Sequence, residues 1–402
     1  MSIIASRLAS VKPSPTLLVS AKAAELKRNG IDVISLGAGE PDFDTPENIK
    51  LAAIDAINKG FTKYTNVDGT PELKKAVCAK FERDNNLRYT PEEVIISTGG
   101  KQVIYNLFMA TLDKGDEVII PAPYWVSYLD IVLLADGSPV TIKTSMEDAF
   151  KISPTSLEKH ITSKTKWLIL NSPSNPSGTT YSKDDLLGLA EVLRRHPHVH
   201  IMSDDIYEHI IFDGFKFHTL AEIAPDLKNR IFIANGVSKT YSMTGWRIGY
   251  GAGDKELIKA MSIIQSQSTS NPSSISQAAA LEALNGTQDY VSKNALDFRK
   301  KRDLVVELMN KIPGIECRKP EGSFYLFLKC SELFGKKTTN GKIMQNDSDL
   351  ATYFLEDANV AIVPGVAFGL EGYFRISYAT SEELLTKACY RIAESVNKMT
   401  VS

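Results

Sequence analysis

Lys239 is the residue with the most to explain. It sits in Asn235-Gly-Val-Ser-Lys-Thr240, between an apolar run and the segment Tyr241-Ser-Met-Thr-Gly-Trp-Arg-Ile-Gly249. A lysine at that depth has little access to water, and lysines are seldom buried without a task. Desolvation lowers the amine pKa and makes the nitrogen a nucleophile for carbonyls. Four further sets of residues could work with it. Ser97-Thr-Gly-Gly-Lys-Gln102 opens directly into a helix. Its glycines let the backbone approach an anion, which the free N–H groups of a helix start attract; a tight turn would use the same residues. Asn171-Ser-Pro-Ser-Asn-Pro-Ser-Gly178 is stiffened by two prolines, so the Asn175 amide has a fixed position from which to reach a ligand oxygen, although a capped loop accounts for it equally. Ser203-Asp-Asp-Ile-Tyr-Glu208 places Asp204 three residues before Tyr207, and a helix N-cap would also explain Asp204 or Asp205. Arg247 follows Lys239 by eight residues.

These sets have a common position. Val94–Ser97, Glu117–Ile120, Lys166–Leu170, Val199–Met202, Ile231–Ala234 and Trp246–Tyr250 are short β-rich runs separated by helical patterns. One such pattern is Val103, Ile104, Leu107, Phe108 and Leu112. Uninterrupted apolar strands between amphipathic helices predict an α/β fold with a largely parallel sheet covered on both faces. Ligands of such sheets lie beyond the carboxyl ends of the strands, where four of the five sets fall. An amine, an anion cradle, a fixed amide, a carboxylate with a tyrosine and a guanidinium together suit a phosphorylated pyridine aldehyde. We expect a large domain over 47–296. The remainder reads as α+β: a charged helical pattern over Asp297–Lys311, β-rich runs at Gly322–Leu328, Val360–Val363 and Phe374–Ser377, and a helix from Ser381. It forms a smaller domain of 1–46 with 297–402. Gly335–Lys342 reads as an exposed loop, and Asn271-Pro272 marks a turn before another helix.

Composition narrows the classes. A chain of 402 residues with 43% hydrophobic and 23% charged residues can fold without disulfides or metals. Its formal charge of −2 gives no reason to expect nucleic acid or an anionic membrane as partner. The four cysteines are scattered, with no CxxC pair and no histidine at metal spacing. No GxGxxG or P-loop occurs. No stretch approaches the roughly 18 apolar residues of a spanning helix, and Met1–Lys12 lacks a signal-peptide core. The expectation is a cytoplasmic protein.

With these motifs in order from Lys12-Pro-Ser14 to Phe374-Arg-Ile-Ser-Tyr-Ala379, the chain resembles the class I aminotransferases of the fold-type-I pyridoxal-phosphate superfamily. The signature is Ser238-Lys239 with Met243-Thr-Gly-Trp-Arg-Ile-Gly249, preceded by Asn175-Pro-Ser-Gly178 and Asp204-Asp-Ile-Tyr207. Within the class it is similar to the bacterial aspartate subgroup that includes bifunctional aspartate/prephenate enzymes. The resemblance implies a mostly parallel seven-stranded sheet, a smaller α+β domain, pyridoxal 5'-phosphate, amino-acid and 2-oxo-acid substrates, and a homodimer with shared sites. It implies that Lys239 carries the cofactor as an imine and later shuttles the α-proton. Asp204 pairs with the pyridine nitrogen, Tyr207 and Asn175 serve the phenolic oxygen, and Trp125 stacks on the ring. Gly100, Lys101, Ser238 and Arg247 surround the phosphate, joined by Tyr64 of a second subunit. Arg375 grips the substrate α-carboxylate, and the backbone at Gly39 closes over it.

Two departures from the family's pattern matter, one for the phosphate and one for the substrate. Many family members have serine three residues before the lysine; here it is Gly236, which leaves the phosphate more to backbone and Arg247. No second arginine for a distal carboxylate stands in the polar tract around Ser268. In the subgroup Lys101 takes that role with Lys12 and Thr16, residues that a solvated tail would also explain. The alternatives are an aminotransferase for neutral or aromatic amino acids, a pyridoxal-phosphate lyase or decarboxylase, and a regulator reusing the fold, against which the complete lysine site counts.

Overall fold

The apolar runs become strands of one sheet in the computed structural model, which describes residues 3–401 other than 12 and 14. The strands are β1 (Val94–Ser97), β2 (Glu117–Ala122), β3 (Ser138–Lys143), β4 (Thr165–Asn171), β5 (His200–Asp204), β6 (Ile231–Gly236) and β7 (Gly249–Ala252). Their spatial order is β1-β7-β6-β5-β4-β2-β3. β7 runs antiparallel to both neighbours, and the other four pairings are parallel. Alternation of side chains along each strand builds two separate cores. Ile119, Leu168, Leu170, Ile201 and Ile233 enter one; Val118, Ile120, Trp167, Ile169, Met202 and Phe232 enter the other.

Helices cover both faces, among them α2 (Pro71–Asn85), α3 (Gly100–Thr111) and α4 (Ser127–Leu134), while α1 (Pro15–Arg28) packs on the N-terminal segment near Val33 and Ala361 and α5 is Asp289–Met309. α2 starts with Thr70 accepting from Leu73 N and with Pro71 at the first position, where the missing N–H costs nothing. Its Leu73, Val77 and Phe81 pack on the first core, while Val103, Leu107 and Phe108 of α3 pack on the second. α5 passes from one body to the next: Tyr290 and Val291 lie against the first core, whereas Phe298, Val305 and Met309 enter a third. The third core rests on a four-stranded antiparallel sheet of β8 (Glu316–Cys317), β9 (Tyr325–Lys329), β10 (Val363–Pro364) and β11 (Tyr373–Ser377), ordered β10-β11-β9-β8. Ile34 and Leu36 join it from the N-terminal segment.

Four expectations are refined. β3 was not among the β-rich runs; it is an edge strand with mostly solvent-facing residues, so it carries little apolar signal. Trp246 lies in a 3-10 turn (Thr244–Trp246), and the strand begins only at Gly249, because Arg247 takes a left-handed φ of 57°. The run Val360–Val363 is split: Val360–Ala361 pairs in parallel with Ile34–Ser35, and Val363 starts β10. Within the expected loop 335–342, Lys336–Lys337 pairs with Thr400–Val401.

The start of β7 fixes where α3 begins. A Cβ on Gly249 would stand 2.3 Å from Gly100 N and 2.5 Å from the Gly99 carbonyl carbon. Backbone cannot yield there as a side-chain tip could, so Gly249→Ala should destabilise the fold by ~1–3 kcal/mol, the usual cost of overpacking. Thermal unfolding measures this; a variant melting with the parent would contradict the close approach.

Candidate active site

The carboxyl ends of β4, β5 and β6 and the start of α3 open into a cavity of about 490 Å³. β7 is antiparallel, so it is its N-terminal end that reaches the same edge, which brings Arg247 there. Twelve of the fourteen residues expected at the site line the cavity: Thr16, Gly39, Gly100, Lys101, Trp125, Asn175, Asp204, Tyr207, Ser238, Lys239, Arg247 and Arg375. Tyr64 does not; it is 91% exposed on this chain's surface. Lys12 lies outside the described residues.

Lys239 follows β6 and its ammonium donates to the Gly39 carbonyl. Burial lowers its pKa to about 8; Arg247 and Arg375 push the same way, and Glu40 and Asp204 oppose them. Asp204 ends β5, buried on the face that Met202 shares with α3 and α4. Its Oδ2 accepts from Tyr128 Oη at 2.5 Å and its Oδ1 from Ile206 N at 3.3 Å. Burial raises the carboxyl to about 6, against the pull of Tyr128, Ile206 N and Lys239. Asp205 is buried too, with Oδ1 accepting from Ser203 Oγ at 2.7 Å, but it does not line the cavity. The N-cap reading of Asp204 survives only as the local bond to Ile206 N.

Arg247 lies across the start of α3. Its Nη1 donates to the Thr244 carbonyl at 2.9 Å, and a Cβ on Gly99, whose φ is +87°, would meet Nη2 at 2.2 Å. Free helix N–H groups, a guanidinium and Ser238 together make an anion cradle. Lys101 Nζ lies 5.1 Å from the Trp125 ring centroid; partial burial, then Arg247, lower its pKa.

On the opposite wall, Arg375 of β11 is 2% exposed. Its Nη1 donates to Asn175 Oδ1 at 2.8 Å and its Nη2 to the Gly37 carbonyl at 2.7 Å. Its guanidinium carbon is 4.6 Å from the Tyr325 ring and 4.9 Å from the Phe368 ring. Nε has no partner, and no carboxylate pairs with this arginine among the described residues. Burial therefore lowers its pKa, opposed only by the Tyr325 and Tyr207 hydroxyls. Tyr207 Oη is 2.9 Å from Tyr325 Oη.

Sequence reasoning missed Tyr128 and Tyr325. Tyr128 stands three residues after Trp125 on the first turn of α4, the spacing that brings two side chains to one helix face. Tyr325 gave no such sign, since only the cross-sheet packing of β9 decides which of its residues face the cavity. Carboxylate, cradle and recessed amine fit a phosphorylated pyridine aldehyde: a buried acid for the ring nitrogen, a phosphate site and a low-pKa lysine.

The model of the family "Aminotransferase class I and II" matches residues 31–392. The chain is 67% identical to a probable aspartate/prephenate aminotransferase of Rickettsia bellii, over 99% of this chain and 100% of that one. It is 57% identical to the aspartate/prephenate aminotransferase of Cereibacter sphaeroides, over 98% of each. Among solved structures it superposes on the aspartate aminotransferase of Rhizobium meliloti with a TM-score of 0.97 at 55% identity, covering 100% of both chains. The Thermus thermophilus aspartate aminotransferase with maleate gives 0.92 at 42%, covering 98% of this chain and 100% of that one. A family match over most of the chain, full-length identity and shared fold agree, and the protein belongs to the class I and II aminotransferases.

Proposed function

We propose that this enzyme transfers the amino group of L-aspartate to 2-oxoglutarate, giving oxaloacetate and L-glutamate, and also converts prephenate to arogenate. The observation that carries the reading is Arg375, a buried guanidinium without a carboxylate partner on the wall of the cavity that holds Lys239. A buried, uncompensated charge is costly, and an α-carboxylate supplies what it lacks through a bidentate pair.

Pyridoxal 5'-phosphate, when bound, supplies an electron sink for the substrate α-carbon and carries the amino group between the two half-reactions of a ping-pong cycle. Asp204 would face its ring nitrogen, Tyr207 and Asn175 its phenolic oxygen, Trp125 its ring, and Gly100, Ser238 and Arg247 its phosphate. Arg375 orients the substrate so that the α-hydrogen points at Lys239. The Lys239 amine, free of its proton above about pH 8, would accept that hydrogen as a proton and hold it for return from the same side. The Gly39 backbone covers the carboxylate end and excludes water. The Rickettsia and Cereibacter relatives are named for aspartate and prephenate, and maleate, present in the Thermus structure, is a dicarboxylate. For the second carboxylate, Lys101 is the cation in place, with Thr16 of α1 beside the cavity. The alternative for neutral or aromatic amino acids would leave Lys101 without that task.

The same proposal includes a cytoplasmic homodimer. Tyr64 is exposed and off this chain's own cavity, and Leu51, Ile54 and Ile57 are exposed near it in sequence. An isologous interface would carry Tyr64 to the partner's phosphate.

Three measurements test these points. The apoprotein's covalent capture of pyridoxal phosphate should accelerate about tenfold per pH unit below roughly pH 8 and level off above it, because only the free amine attacks. A rate still climbing at pH 10 would make Lys239 an ordinary lysine. Lys101→Ala should lower kcat/KM for aspartate and prephenate by about a hundredfold while sparing phenylalanine; equal losses would assign Lys101 to the phosphate alone and move the neutral-substrate reading ahead. Mixing Tyr64→Phe with Lys239→Ala chains should restore activity through hybrids holding one wild-type site, and a monomeric sedimentation profile for active enzyme would defeat the shared site.

A further inference from the structure

The acid of the site has a partner that neither the motifs nor the mechanism above employs. Tyr128, on the first turn of α4, is 1% exposed and donates Oη–H to Asp204 Oδ2. Its ring is held edge-on by Trp125, with centroids 5.3 Å apart and planes at 86°. The other groups facing Asp204 are Ile206 N and Tyr207 from the turn after β5, and Lys239 from beyond β6. Asn171 of β4 donates to its backbone carbonyl rather than its carboxylate, at 2.9 Å. Tyr128 is thus the side chain that hydrogen-bonds the Asp204 carboxylate among the described residues.

We propose that Tyr128 is a positioning residue that sets where the proton shared by Asp204 and a pyridine nitrogen resides; this rests on the cofactor reading above. A hydroxyl donating to a carboxylate oxygen withdraws charge from it and makes it a weaker base. Without that bond, a carboxyl in so apolar a setting would compete with the ring nitrogen for the proton and leave the ring a poorer electron acceptor. Burial, with Asp204 beside it, holds the Tyr128 hydroxyl protonated well above the usual phenol range, so it is a donor at every working pH. Trp125 links the two demands, since the side chain expected against the ring face also fixes the tyrosine that governs the ring's proton.

The test has two arms, both on the full chain. In the first, [13C]aspartate NMR without cofactor follows the carboxyl identified by its loss in Asp204→Asn. Tyr128→Phe should raise its midpoint by about one pH unit, the worth of one hydrogen bond to a charged group. In the second, chains loaded with pyridoxal phosphate labelled with 15N in the ring are compared at neutral pH. The parent should show a pyridinium shift, Tyr128→Phe should move part of the way toward free pyridine, and 3-fluorotyrosine at position 128, a stronger donor of the same shape, should not. That variant also guards against simple loss of packing, which would move both substitutions alike. An unchanged Asp204 midpoint in Tyr128→Phe, or an unchanged ring-nitrogen shift in a loaded chain, overturns the proposal. Failure of the parent to capture the aldehyde at Lys239 overturns the cofactor reading instead, and the first arm still decides the hold of Tyr128 on Asp204.

Discussion

A guanidinium removed from water must find charge or dipoles to replace its hydration, and Arg375 is arranged around that requirement. It is 2% exposed and, among the described residues, meets only neutral acceptors, the Asn175 amide oxygen and the Gly37 carbonyl, with two aromatic faces alongside. Those contacts draw together β11, the proline-stiffened loop after β4 and the N-terminal segment, so one cation holds three distant stretches at the mouth of one cavity. Neutral acceptors suffice to keep the arginine folded in but leave its charge uncancelled. The same side chain therefore organises the wall and would favour an anion beside it.

Facing that wall, burial shifts two groups in opposite directions. It lifts Asp204 to about 6 and brings Lys239 down to about 8. Both shifts come mainly from desolvation, and so depend on the loop after β5 being held in place. Beneath it, Glu208 is fastened by Lys80, by Asn85 Nδ2 at 2.8 Å and by Asn235 Nδ2 at 2.7 Å. Burial alone would raise Glu208, but Lys80 and its companions hold it below the usual carboxylate range. That pair is closed upon itself, in contrast to Arg375. A satisfied network of this kind rigidifies its surroundings, here the turn carrying Asp204 and Tyr207, while β6 carries both Asn235 and the approach to Lys239.

Much of this was legible from residue types because the architecture is governed by simple rules. Apolar runs between amphipathic helices become a parallel sheet, and the residues after its strands converge, so Gly100, Asn175, Asp204 and Lys239 could be placed together before any coordinates. Strand alternation then separates Asp204 from Asp205, since consecutive residues face opposite sides. The edge strand β3 escaped because half-exposed residues give no apolar run. Tyr325 escaped for a different reason. It comes from the antiparallel sheet, and which of its side chains meet the cavity is settled by how β9 packs against the loop after β5, a long-range arrangement with no local signature. The lack of a carboxylate beside Arg375 among the described residues was equally invisible, because a sequence identifies an arginine but not which groups stand within its reach.

The balance of charge explains why so many cations can share the site. Among the described residues, four basic side chains line the cavity (Lys101, Lys239, Arg247 and Arg375) against two acids, Glu40 and Asp204, although the chain as a whole carries a formal charge of −2. Like charges in a low-dielectric cleft repel, and the depressed pKa of Lys239 registers Arg247 and Arg375 in that sense. Such a surplus is tolerable if the natural occupants are anions, and a phosphate with one or two carboxylates meets it. These cations come from different elements: Arg247 lies across the start of α3, Arg375 stands on β11, and Lys101 Nζ lies 5.1 Å from the Trp125 ring centroid. Asp130 opposes the depression of the Lys101 pKa only as the smallest cause, so a second carboxylate would meet a cation there that a monocarboxylate would not. A fit to a second carboxylate would then rest on the site's electrostatics as a whole rather than on any single contact.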